Sequence, residues 1–167
     1  INYFETRGSA QCKSAVILAA LNTPGMTKIN AKKSRNHTEL FLKYLNLPLK
    51  IKNKKTCDVI EVHGENQFKS FDYEIPGDIS SSSFFIVLTL LIKNSKLKIR
   101  NVNVNPSRIG FIKIINKMGA KIKFINKRYV FGEQLADICV NSQKTFKPIN
   151  CPIKLNSSAI DEFLLIF

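Results

Sequence analysis

Glycine, histidine and acidic side chains are all scarce here: 7 glycines, 2 histidines and 12 aspartates plus glutamates among 167 residues. With so little glycine, no glycine-rich loop of the kind that wraps a nucleotide phosphate is present. Gly110 and Gly119 stand alone, and Gly77 is a turn residue after Pro76. The histidines make no metal-ligand spacing with Cys12, Cys57, Cys139 and Cys151, and no two cysteines form a CxxC. Neither a metal nor a cofactor is expected. Three of the four cysteines sit in apolar or strand contexts and read as small hydrophobes, which fits a reducing, cytoplasmic setting. Long apolar runs are missing too. The strongest, residues 84–92, is nine residues broken by Thr89, whereas a bilayer span takes roughly 20. No signal-peptide pattern is present. The chain does not begin with Met, and residues 163–167 stop in mid-helix with no cap, so a piece of a longer protein is expected.

The shortage of acids leaves 26 Lys and Arg against 12 acids, a net charge of +14. Such a charge suits anionic partners. Yet the lysines are spread evenly, as in residues 50–55 and 121–127, rather than gathered into one nucleic-acid stripe. Solvated lysines on strand and loop faces are the expectation. The 44% hydrophobic content supplies a core.

What is present is a repeated phrase. Pro76-Gly77-Asp78-Ile79-Ser80-Ser81 opens an apolar helical run, with Asp78 or Ser80 placed to accept from the free N–H groups of its first turn. Apolar all round except for Thr89, this helix is expected to be enclosed on most sides. Gly8-Ser9-Ala10-Gln11-Cys12-Lys13-Ser14 opens a similar run to Leu21, stopped at Asn22-Thr23-Pro24-Gly25. Asn156-Ser157-Ser158-Ala159-Ile160-Asp161-Glu162 opens a third. After the first two openings come a strand, a Ser-Arg pair (Ser34-Arg35, Ser107-Arg108), an amphipathic helix and further strands. Residues 71–75 read as an edge strand, and residues 121–126 as a strand turning near Asn126-Lys127 into residues 129–131. The pattern is an internal repeat of one β-α-β-α-β-β unit, cut off inside its third copy. The predicted class is α+β.

Helix starts suit phosphate or carboxylate, because they aim free N–H groups and a partial positive charge outward. Ser9 and Gln11 flank one such start, either as added donors or as a plain cap. In the second helix, residues 36–45, Ser34 or Asn36 is expected to cap and Glu39 to complete a capping box with Asn36. Leu40, Phe41, Tyr44 and Leu45 are expected to form its core face. Arg35 is an anion clamp or a solvated charge, and His37 alone is a weak base candidate. Asp161 and Glu162 stand in the first turn of the third helix, where acids are favoured by the dipole. A catalytic carboxylate there would have to face a substrate hydroxyl.

Six stretches occur in order: Ser9-Ala-Gln-x-Lys-Ser-Ala, Ser34-Arg-Asn-His-Thr-Glu, Pro76-Gly-Asp-Ile-Ser-Ser, Asn105-Pro-Ser-Arg-Ile-Gly, Lys117-Met-Gly-Ala and Ile160-Asp-Glu-Phe. Together the sequence resembles the 5-enolpyruvylshikimate-3-phosphate synthase family over nearly its whole length. The resemblance implies repeated units of the enolpyruvyl transferase fold split over two lobes. Residues 1–75 would belong to one domain, on the shikimate 3-phosphate side, and residues 76–167 to the other, truncated. It implies transfer of the enolpyruvyl group of phosphoenolpyruvate to the 5-hydroxyl of shikimate 3-phosphate, with loss of phosphate, by a protein that is a monomer at full length. Ser9, Ala10, Gln11, Ser34 and Arg35 would hold shikimate 3-phosphate, Gln11 would also touch phosphoenolpyruvate, and Asp161 would bind the 5-hydroxyl and take its proton. The family's early Lys-Ser…Arg segment and its late Lys and Arg ligands lie outside these residues, and Leu164 stands where the family has Pro. Two other readings remain: the sister transferase acting on UDP-N-acetylglucosamine, and a basic nucleic-acid-binding domain, which would need Lys and aromatics on one face.

Overall fold

The computed structural model describes residues 1–64 and 69–166. It divides into two compact units, Ile1–Tyr73 and Glu74–Phe167.

In the first unit the order is β1 (Asn2–Glu5), α1 (Ala10–Leu21), β2 (Met26–Lys32), α2 (His37–Tyr44), β3 (Leu49–Asn53) and β4 (Cys57–His63). The sheet runs β1-β2-β4-β3; β1 and β2 are parallel, joined through α1, and the other pairs are antiparallel. Along β2 every second residue is buried, the period-2 signature of a half-covered strand. Ile17, Ala20 and Leu21 of α1 fall on one helical face and pack on Ile29 and Ala31 of β2, Ile60 and Val62 of β4, and Leu42 of α2.

The second unit holds α3 (Ile79–Leu91), β5 (Lys96–Asn103), α4 (Gly110–Lys117), β6 (Lys123–Val130) and β7 (Glu133–Asn141), then two short 3-10 helices, Ile153–Ser158 and Ile160–Leu165. Its sheet runs β5-β7-β6. A parallel bridge between Gly77 and Val102 stands where β1 stands in the first unit. Element for element, α3 matches α1, β5 matches β2, α4 matches α2, and the β6–β7 hairpin matches β3–β4. The chain is thus an α+β protein built on the repeated unit. The core of this unit joins Ile79, Ile86 and Leu90 of α3 to Phe111, Ile114 and Ile115 of α4 and to Ile138 of β7.

Several expectations change on contact with the fold. Within the described residues α3 is one-sided: Phe84, Phe85, Leu88, Leu91 and Ile92 are at least half exposed. In α2 the core residue is Leu42. Leu40 and Leu45 are only partly buried and Tyr44 is half exposed, while Phe41 meets Phe71 and Tyr73 edge-on. Residues 71–75 form no strand; that stretch is occupied by these ring contacts. Residues 52 and 53 end β3.

Asn126 is a bulge rather than a turn. Its φ of 51° coincides with a register shift between β6 and β7, and the hairpin turns at Phe131-Gly132, both at positive φ. Asn101 makes the matching bulge in β5. Asp137 on β7 accepts from the Asn101 N–H at 3.1 Å and the Asn126 amide at 3.0 Å. These bonds, with Lys98 alongside, hold its carboxyl at about 2, against an ordinary 3.8. The third opening is two 3-10 turns rather than an α-helix, and Phe167 lies outside the described residues. All four cysteines are free, but Cys12 and Cys151 are exposed. No helix among the described residues is long and apolar enough to cross a membrane.

Candidate anion-binding and active site

The loop before α1 is built to deliver a helix start. The buried Glu5 carboxylate accepts from the N–H groups of Arg7 (3.0 Å) and Gly8 (2.8 Å), and Gly8 turns the chain at φ 81°. Burial works against the charge on Glu5. The N–H groups of Ser9, Gly8 and Arg7 and the charge of Lys13 outweigh it, so the carboxyl sits below its ordinary value. Ser9 then caps α1, its Oγ accepting from the Cys12 N–H at 3.2 Å and lying 3.4 Å from Gln11 Oε1. Ala10 is the first helical residue, so its N–H and that of Gln11 point out of the helix end.

The start of α2 stands beside this one. Lys13, whose side chain is fully buried, donates to the Arg35 carbonyl at 2.8 Å and pairs with Glu39 Oε1 at 2.5 Å. Beside this pair, the Ser14 and Thr38 hydroxyls are 2.6 Å apart. The capping box expected for α2 does not form. Asn36 occupies the cap position without a side-chain cap bond, and Glu39 turns inward to Lys13 instead of back along its own helix. The Ser34 hydroxyl is buried with no protein partner among the described residues. Ser9, Ala10, Gln11, Ser34 and Arg35 therefore sit on two helix starts tied together through Lys13. Lys13 and Glu5 were missed as site residues. The signal for Lys13 was a charge at the fourth position of an otherwise apolar helix face, in register with Ile17, Ala20 and Leu21.

Asp161 lies in the second unit, in the first turn of the 3-10 helix Ile160–Leu165. Arg108, whose side chain is 11% exposed, donates to Asp161 Oδ2 at 2.7 Å and to the Ser80 hydroxyl. Glu162 and Asp78 stand 3.8 and 3.9 Å from the same guanidinium, and Ser80 donates to Glu162. Asp78 caps α3, accepting from Ser81 N–H at 2.7 Å and Ser81 Oγ at 2.9 Å. Partial burial would raise its pKa, but Ser81, Ser80 and Arg108 draw it below the ordinary value. Asp78 rather than Ser80 thus takes the place that Ser9 holds in the first unit. The cluster places one cation among three carboxylates and holds the Asp161 carboxyl against the Arg108 guanidinium. Arg108 was visible in sequence only as the second Ser-Arg pair. Gly110, at the start of α4, allows the close approach of Ser158, since a Cβ there would stand 2.7 Å from the Ser158 carbonyl carbon and oxygen. Among the described residues no group of three or more His, Cys, Asp or Glu is gathered as metal ligands.

The class these features define is a repeat-built α+β protein in which the starts of α1 and α2 are tied side by side. The family model for EPSP synthase (3-phosphoshikimate 1-carboxyvinyltransferase) matches residues 1–166. The 3-phosphoshikimate 1-carboxyvinyltransferase of Zymomonas mobilis is 38% identical over 168 residues, covering 100% of this chain and 37% of that protein. That of Petrotoga mobilis is 41% identical over 159 residues, covering 95% and 36%. An EPSP synthase structure from Acinetobacter baumannii is similar with a TM-score of 0.84 and 33% identity, covering 98% of this chain and 36% of that one. The chain belongs to the EPSP synthase family. It spans 37% of the length of such a relative.

Proposed function

We propose that these residues are the central part of a cytoplasmic, monomeric enzyme that transfers the enolpyruvyl group of phosphoenolpyruvate to the 5-hydroxyl of shikimate 3-phosphate, in the route to chorismate and the aromatic amino acids. Residues 1–75 and 76–167 belong to its two domains. The observation that carries the reading is the pairing of the α1 and α2 starts through Lys13; on this reading Ser9, Ala10, Gln11, Ser34 and Arg35 share one anion. A dianionic phosphate would accept from the outward N–H groups of Ala10 and Gln11 and from Ser9 and Ser34, and the Arg35 guanidinium would supply a charge-assisted bond. The unpartnered Ser34 hydroxyl supports this, since a buried donor without a partner is costly unless a ligand satisfies it.

Asp161 is the base. As the 5-hydroxyl oxygen bonds to the phosphate-bearing carbon of phosphoenolpyruvate, its proton passes to the Asp161 carboxylate, and the electron pair of the broken C=C π bond takes a proton at the methylene carbon, which becomes a methyl group. The tetrahedral adduct then loses phosphate and one methyl proton, which restores the double bond of the enolpyruvyl group. Arg108 holds the Asp161 carboxyl in place, and four unpaired thiols agree with the reducing compartment. The test is calorimetric titration of shikimate 3-phosphate into the complete protein and its Ser9→Ala and Arg35→Ala variants. Losing a hydrogen bond to a charged group costs about 1.5–3 kcal/mol, so Arg35→Ala should weaken binding by roughly 10- to 150-fold. Unchanged affinity in both variants refutes the site.

A further inference from the structure

A fully buried lysine in an otherwise apolar core calls for an explanation. The first unit packs α1 on its sheet through Ile17, Ala20 and Leu21, and Lys13 continues that face. It forms an ion pair with Glu39, itself buried, and the second oxygen of Glu39 has no partner among the described residues. Stability is a poor reason for such a pair, because apolar side chains of similar volume commonly serve as well or better. What apolar residues cannot do is hold the Arg35 carbonyl, which Lys13 grips at 2.8 Å. Lys13 lies in the turn after Ser9, Ala10 and Gln11; Glu39 lies in the first turn after Ser34 and Arg35. One ammonium group thus ties the peptide of Arg35 to the helix that carries the other donors.

We propose that Lys13 is a positioning residue: it sets the separation of the two helix starts and, through the Arg35 carbonyl, the aim of Arg35 at the phosphorylated substrate. This rests on the shikimate 3-phosphate reading above. Lys13 touches no substrate. It acts by holding donors within hydrogen-bond reach, where a displacement of about 1 Å costs up to about 100-fold.

Two variants of the complete protein separate positioning from stability. Lys13→Met/Glu39→Leu removes the charge pair and fills its space, so thermal stability should stay close to wild type while the grip on Arg35 is lost. Its Kd for shikimate 3-phosphate by calorimetry, and its KM, should rise by about 10- to 100-fold, with kcat within about threefold of wild type. Glu39→Gln keeps the lysine and its bond to the Arg35 carbonyl but weakens the buried pair. It should melt earlier yet bind shikimate 3-phosphate within about threefold of wild type. Substrate affinity and melting temperature should therefore move independently. A folded double variant that binds as tightly as wild type overturns the proposal. So does a Glu39→Gln variant that loses tenfold in affinity, and that arm stands even where the double variant does not fold. A wild-type protein that binds no shikimate 3-phosphate overturns the substrate reading, and this proposal with it. The two failures are told apart by the wild-type titration alone.

Discussion

Two neighbouring residues on α3 should respond in opposite order of size. Ile86 is 0% exposed at the centre of the second unit's core, whereas Phe85, one residue earlier and about 100° round the helix, is 61% exposed. Ile86→Ala removes three methyl(ene) groups from a closed core and should cost about 2–5 kcal/mol in the 167-residue chain. Phe85→Ala deletes a larger side chain from an exposed face and should fall within about 0.5 kcal/mol. With a urea slope of about 1–3 kcal/mol/M, the first variant should lower the midpoint by roughly 1–3 M and the second by a few tenths. Amide exchange of the β7 N–H groups reads the second unit separately from the first. If α3 were enclosed, as its composition alone suggests, Phe85→Ala would instead cost about 3–5 kcal/mol. A Phe85→Ala loss equal to or larger than that of Ile86→Ala refutes the assignment of faces.

Three further outcomes are expected. The Asp137 carboxyl, held at about 2, has a folded pKa below its unfolded one, so its contribution is full above the ordinary value and lost as pH falls toward 2; Asp137→Asn should flatten the fall in melting temperature across that window, and parallel curves contradict this. Gly110→Ala should destabilise by about 1–3 kcal/mol, because the new Cβ meets the Ser158 backbone; a gain of up to about 1 kcal/mol, as helix propensity alone suggests, would show that the approach is not close. In the complete protein, Asp161→Asn should lower kcat by about 10²–10⁴ while shikimate 3-phosphate affinity stays within a few-fold, because the amide oxygen still accepts from the 5-hydroxyl but takes no proton; steady-state rates set beside calorimetry check it, and an unchanged kcat removes Asp161 from the base role.

Local chemistry was legible wherever it stayed local. Ser9 capping α1, Asn22 to Gly25 ending it, and the recurrence of strand, Ser-Arg pair and helix all follow from turn and cap rules, and the repeat emerges from them. The misreadings came from long-range partners. Glu39 has the spacing of a capping box, but a lysine 26 positions upstream claims it. Asn126-Lys127 has turn composition, yet Asp137 and Arg128 hold Asn126 as a bulge within a continuous strand. The α3 run is apolar all round, and nothing in its own composition tells the buried face from the exposed one. At the site, the donors on the helix starts were readable as candidates. Lys13 and Arg108, which tie those donors and the carboxylates together, became evident only when the fold brought the pieces side by side.

The most direct measurement is phosphate release by the complete protein given shikimate 3-phosphate and phosphoenolpyruvate, singly and together. The account predicts release only when both are present, abolished by competition at the anion site and slowed by Asp161→Asn. No release with the pair, or release when UDP-N-acetylglucosamine replaces shikimate 3-phosphate, contradicts it.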